Sequence, residues 1–197
     1  MDYKHGIEVV EIENPSSDPL EGTAGLQVVF GVAPINLAKN PEAAVNKPVK
    51  VTSFKEAKEL LGYSDDWDKY PMCASMYASF EAYNISPVIY VNVLDPKKHK
   101  KENSETSITV TDMQAVYNVE DVLLSTITVK NEETPLALNT DYIVNVENGY
   151  PVITLLSSGT AAEAQSLKVT SQSIDPSAVT AEDVIGGYDA ETGDETG

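Results

Sequence analysis

At Asp95-Pro96 the chain changes character, and this change limits what it can fold into more than any other feature. Before it, apolar strand runs alternate with helical patterns. After it comes a lysine-rich run and then, from Ser107, a series of short strands divided by turn chemistry. The first pattern is that of a layered α/β unit, and the second that of a small antiparallel β-sandwich.

The α/β part opens with GLQVVFGVAP. Leu26 to Val32 is a near-continuous apolar run bounded by Gly25 and Pro34, which predicts a strand buried on both faces. The stretch to Pro48 is rich in Gly, Ala, Pro and Asn and predicts a surface loop, followed by a short strand at Val49-Lys50-Val51. VTSFKEAKELLGY is the clearest local signal. Ser53 with Glu56 three residues on is a capping box. Phe54, Ala57, Leu60 and Leu61 share one helical face, and Gly62 is the stop. A second helix is predicted from Met72 to Tyr83, with Met72, Ala74, Met76, Tyr77, Phe80 and Tyr83 along it; that stripe is core at this spacing, not a cofactor box. Val88 to Leu94 is the next buried strand. The single cysteine, Cys73, excludes an internal disulfide framework; its place in an apolar helical pattern predicts a buried, inert thiol.

Lys97, Lys98, Lys100 and Lys101 follow Asp95-Pro96 and predict a linker. The β part then contains SITVT, LLSTITVK, TDYIVNVENGYPVITLL and SLKVTSQSI. Asn148-Gly149 is a strong hairpin signal, and Pro151 predicts a short or edge strand after it. Beyond Asp175-Pro176, Thr180 as N-cap and Asp183 at the third helical position mark a helix start. From Ser177 on there are six acids and no base. This helix has no further layer to join, so the chain is expected to stop partway through a larger fold. The expected organisation is an N-terminal extended arm over 1–19, the first half of an α/β domain over 20–96, an inserted β-sandwich domain over 97–176, and a return segment into the incomplete α/β domain over 177–197.

The arm is a dense strand-forming segment at a chain end, where polar, frayed sequence is usual. In Ile7-Glu8-Val9-Val10-Glu11-Ile12-Glu13 the β-branched density predicts a strand, and the slip of phase at Val9-Val10 suits a bulge or a strand covered on both faces. Asn14-Pro15-Ser16-Ser17-Asp18-Pro19 then breaks any ladder. The strand either folds back onto its own sheet or adds to the sheet edge of another subunit.

Charge and motif content narrow the function class. With 31 acidic and 13 basic residues the formal charge is −18. Nucleic-acid binding depends on neutralising phosphates with Lys and Arg, so that balance argues against it, and against anionic membrane surfaces. No apolar run approaches the ~18 residues of a membrane span. The first residues lack the basic-then-apolar pattern of a signal peptide, so no export by that route is expected. The two histidines, His5 and His99, lie in the arm and in the lysine run, with no partner placed by sequence. No GxSxG, HExxH, CxxC or P-loop pattern occurs. Asp65-Asp66-x-Asp68 misses EF-hand spacing and suits an exposed acidic loop better than a calcium site. One copy of Gly186-Gly187-x-Asp189 is not a repeat. No enzyme activity, cofactor or metal is expected.

The order of landmarks resembles that of the contractile tail sheath proteins of myophages, defective prophages and R-type bacteriocins. These are the HGIEVVEIE arm, GLQVVFGVAP, VTSFKEAKELLGY, VIYVNVL, the TDYIVNVENGYPVITL hairpin and the closing VTAEDVIGGYDAETG. The resemblance runs along essentially the whole chain. It implies a virion structural protein that self-assembles with other sheath subunits around a tail tube, located in a virion tail or tail-like particle assembled in the bacterial host cytoplasm. It also implies that Ile7, Val9, Val10 and Ile12 link neighbouring subunits by strand addition, with Asn14 to Gly22 as the tether. Sheath proteins of this family continue with a second α/β half and a C-terminal domain that contacts the tube. This chain is therefore expected to be an N-terminal portion, monomeric by itself, with no nucleic-acid or membrane partner. The competing reading is a self-contained acidic β-sandwich binding module without catalytic activity. It accounts for the sandwich and the charge but not for the arm.

Overall fold

The computed structural model describes residues 25–188, 191–193 and 195–196. The arm expected over 1–19 lies outside them. β1 (Gln27–Gly31), β2 (Pro48–Val51) and β3 (Val88–Asn92) form one sheet in the order β1-β3-β2, with β1 parallel and β2 antiparallel to the central β3. Between β2 and β3 run α1 (Phe54–Leu61) and α2 (Pro71–Tyr77), and a π-helical turn over Ala78–Ala82 continues α2. The second predicted helix therefore forms but changes pitch at Ala78.

Local chemistry sets the ends of α1. Ser53 Oγ accepts from the Glu56 N–H at 3.3 Å. The Glu56 carboxylate reaches back one residue further than a standard box, accepting from the Thr52 N–H at 2.8 Å and the Thr52 hydroxyl at 2.7 Å. At the other end Gly62 has φ +74°, and a Cβ there would stand 2.1 Å from the Pro34 carbonyl oxygen. Only glycine permits this approach. Ala57 and Leu61 of α1 and Met72, Cys73 and Met76 of α2 share one buried cluster with Val51, Val88 and Tyr90 of the sheet. Cys73 is fully buried, as its sequence context predicts.

The expectation of burial on both faces for Leu26–Val32 is corrected. Among the described residues β1 is an edge strand, and Val28 and Phe30 are 49% and 55% exposed while Val29 packs against the cluster. The parallel register sets Val28 beside Ile89 and Phe30 beside Val91 on this outer face. An apolar run fixes strand propensity but does not say whether a second layer is present.

Seven strands follow: β4 (Lys100–Thr109), β5 (Gln114–Val116), β6 (Thr128–Asn131), β7 (Thr134–Pro135), β8 (Tyr142–Glu147), β9 (Tyr150–Leu155) and β10 (Ser166–Ile174). They pair antiparallel in two sheets, β4-β10-β6-β7 and β5-β9-β8. Both contribute to a second cluster, Ile108, Val129, Leu167 and Val169 from one and Ala115, Tyr142, Ile153 and Leu155 from the other. Mixed α/β content with small antiparallel sheets is thus the observed class.

The lysine run is not all linker. Lys100 and Lys101 begin β4, which pairs with β10 from Lys100↔Ile174 to Thr109↔Ser166. The polar first part of β4 carries no apolar alternation, so only its end shows in sequence, as SITVT. Asn148 and Gly149 have φ +52° and +84° and close the β8–β9 hairpin as predicted. Pro151 does not put β9 at an edge, because β9 is the middle strand. Pro151 precedes the first β5 pair, Val116↔Val152, and supplies only a carbonyl there, which accepts from the Tyr117 N–H at 2.9 Å. Asp141 of the TDY segment ties two loops, accepting from the Ala137 N–H at 2.8 Å, the Thr160 N–H at 2.8 Å and the Thr160 hydroxyl at 2.9 Å. The predicted helix start at Thr180 becomes α3 (Ala181–Ile185).

Candidate interaction site

Ile7, Val9, Val10 and Ile12, the residues expected to bind a neighbouring subunit, lie outside the described residues. What is described is the strand that follows them in sequence. β1 pairs with β3 along one edge, and no described strand pairs along the other. Leu26, Val28 and Phe30 leave 42%, 49% and 55% of their surface open. Backbone donors and acceptors on a free edge, with apolar side chains beside them, are the physical requirements for accepting further polypeptide.

A second set of groups sits where the two clusters meet. Tyr70 is buried in the first cluster and donates its hydroxyl to Asp121 at 2.5 Å. Lys69 Nζ lies 2.5 Å from Asp121 and 3.1 Å from Glu120. These side chains line a cleft of ≈ 190 Å³ together with Asn36, Ser64 and Gly149. Burial, and then the Asp121 carboxylate, push the Tyr70 hydroxyl far up. Burial works against the Lys69 ammonium, but the hydrogen bonds to Asp121 and Glu120 outweigh it and raise its pKa. Both groups stay protonated at neutral pH, so neither serves as a general base. The cluster is a joint. Leu123 and Ile174, from the β-rich part of the chain, bury their side chains in the first cluster and reinforce it.

His99 departs from expectation. It is 2% exposed, and its Nδ1 accepts from the Asp95 N–H at 3.0 Å. Its Nε2 lies 3.3 Å from Asp183 Oδ2 without forming a hydrogen bond to it. Asp183 also accepts from the Thr180 N–H at 2.7 Å and the Thr180 hydroxyl at 2.9 Å, and pairs with Lys98. Lys98 first, then the Thr180 bonds, hold the Asp183 carboxyl far below the usual carboxylate range. The capping role of Asp183 was visible in sequence; its partners 84 and 85 positions away were not.

The remaining candidates carry no chemistry. The Cys73 thiol is pushed up to about 11 by burial, which removes the thiolate that reactivity requires. Asp66 accepts from the Lys69 N–H at 3.1 Å as a loop cap. Among the described residues no group of His, Cys, Asp and Glu is placed to hold a metal ion, and no helix is long and apolar enough to cross a membrane.

Over 191 residues, 95% of its length, the chain is 30% identical to the tail sheath protein of Burkholderia phage BcepMu. The match covers 37% of that protein, so the chain spans little more than a third of the relative. No family model matches the chain, and no solved structure matches it. The likeness to tail sheath proteins drawn from the order of landmarks holds along nearly the whole chain.

Proposed function

We propose that this chain, a relative of phage tail sheath proteins, is a structural part of a contractile tail sheath and has no catalytic role. The observation that carries the proposal is the 30% identity to a tail sheath protein over 95% of the chain.

Copies of the complete protein polymerise around a tail tube, in a virion tail or tail-like particle assembled in the host cytoplasm. Residues 20–96 act as the α/β body and 97–176 as an inserted β-sandwich, with 177–197 returning to the body. Ile7, Val9, Val10 and Ile12 form a strand that adds to a neighbouring copy's sheet, on the tether from Asn14 to Gly22. Head-to-tail contacts that do not close build helical arrays. A tethered strand keeps copies linked while their bodies rearrange. The tube contact falls to polypeptide outside the stretch matched here. The edge of β1 that no described strand pairs with, and its outer face, support contact with further polypeptide.

The test is Ile12→Lys in the complete gene product. Soluble subunits without sheath tubes, seen by electron microscopy, are the expected result. Normal tubes from that variant would contradict the strand exchange.

A further inference from the structure

α3 buries a single residue, and that residue is charged. Ala181, Glu182, Val184 and Ile185 are exposed, Ile185 at 82%, while Asp183 is 8% exposed. Five residues of helix have no stability of their own. None of the apolar residues of α3 belongs to either cluster. Just before the cap, Val179 packs against the first cluster; beyond it, what holds the helix is polar, and it converges on one carboxylate.

The groups around that carboxylate come from both ends of the β4–β10 stretch. Lys98 and His99 lie just before β4, and Thr180 and Asp183 lie after β10. A backbone bond runs alongside, from the Asp175 N–H to the His99 carbonyl at 2.8 Å. The chain's path into the β-rich region and its path out are thus joined at this point. We infer that Asp183 is a latch holding the stretch beyond Val179, residues 180–186, against the incoming turn, 95–99, and that its release frees α3 while both apolar clusters stay folded.

The clusters do not depend on the latch. β10 pairs with β4 along its length and with β6, and Ile174 is fully buried in the first cluster. The latch has one end at the surface, since the Lys98 side chain is 67% exposed while that of Asp183 is 7% exposed. Opening it lets the polypeptide after Val179 change course without unfolding what precedes it. This does not rest on the sheath reading.

Hydrogen exchange on the intact chain tests the latch. The readout is the Gly186 amide, bonded to the Glu182 carbonyl at 2.8 Å; the Asp175 amide, between Ile174 and Val179, is a control. In Asp183→Asn the Gly186 amide is expected to exchange about tenfold faster or more, because local opening governs its protection. Amides of β3 and β10 are expected to stay within about twofold of the parent. Lys98→Gln leaves the Thr180 cap in place and is expected to give a smaller acceleration at the same amide. Unchanged protection in both variants would overturn the latch. So would equal acceleration in β3 and β10, or failure of Asp183→Asn to fold, since either makes Asp183 a part of the global core.

Discussion

The Tyr70 hydroxyl and the Asp121 carboxylate, 51 positions apart, meet at 2.5 Å. Tyr70 is rooted in the first cluster beside α2. Asp121 sits at φ +59° in the turn whose carbonyl accepts from the Ile174 N–H at 3.0 Å. One hydroxyl thus fixes the α/β layer to the backbone beside β10. Tyr70→Phe keeps the packing and removes the bond, leaving Asp121 with Lys69. A hydrogen bond to a charged group contributes about 1.5–3 kcal/mol. For a chain of this size the expected loss in melting temperature is about 3–12 °C. An unchanged melting temperature would show that the joint adds nothing to folding.

Two glycines at positive φ separate backbone strain from steric conflict. A Cβ on Gly62 meets the Pro34 carbonyl oxygen at 2.1 Å, whereas one on Gly149 meets nothing within 4 Å. Gly149→Ala is expected to cost about 1 kcal/mol, the strain of a left-handed residue alone. Gly62→Ala is expected to cost more than about 2 kcal/mol, because α1 must also move off the turn at Pro34. Denaturant melts of the two variants decide it, and equal costs would mean that the Pro34 contact relaxes freely.

Acid sensitivity follows from Asp141. The Ala137 N–H first, then the Thr160 N–H and hydroxyl, lower its pKa from 3.8. A carboxyl whose folded pKa is depressed contributes stability that is present above the unfolded pKa. That contribution is lost as pH falls through the folded one. Asp141→Asn is therefore expected to destabilise the chain more at pH 7 than at pH 3, and to flatten the acid limb of the stability curve. The same loss at both pH values would place its role in shape rather than charge.

The arm gives a further prediction. If residues 1–19 serve a neighbouring copy, deleting them leaves the melting temperature of the remainder within about 2 °C. A loss several times larger would make the N-terminal strand a member of its own sheet.

What could be read from the sequence was local. Ser53 with Glu56, Thr180 with Asp183, and Asn148-Gly149 each act within four residues, so their chemistry is written side by side. Only the end of β4 was legible, as SITVT, because KKENSETS before Ile108 is polar, and its strand character comes from pairing with β10 some seventy residues on. His99 looked like part of a lysine linker because the residue that covers it, Asp183, is remote in sequence. Phe30 looked buried because its neighbours are apolar, yet its face of the sheet is open among the described residues. The joint of Tyr70, Lys69 and Asp121 left no signal in advance, since no spacing rule connects residues 51 apart.

The most direct test is cryo-electron microscopy of the particles made by cells that express the gene encoding this chain. A part of a tail sheath is expected to appear as a helical array around a tube, with β1 to β10 fitting each repeat and density from the N-terminal residues reaching a neighbouring copy. Particles whose sheath cannot hold this fold, or particles that lack the chain altogether, would contradict the assignment.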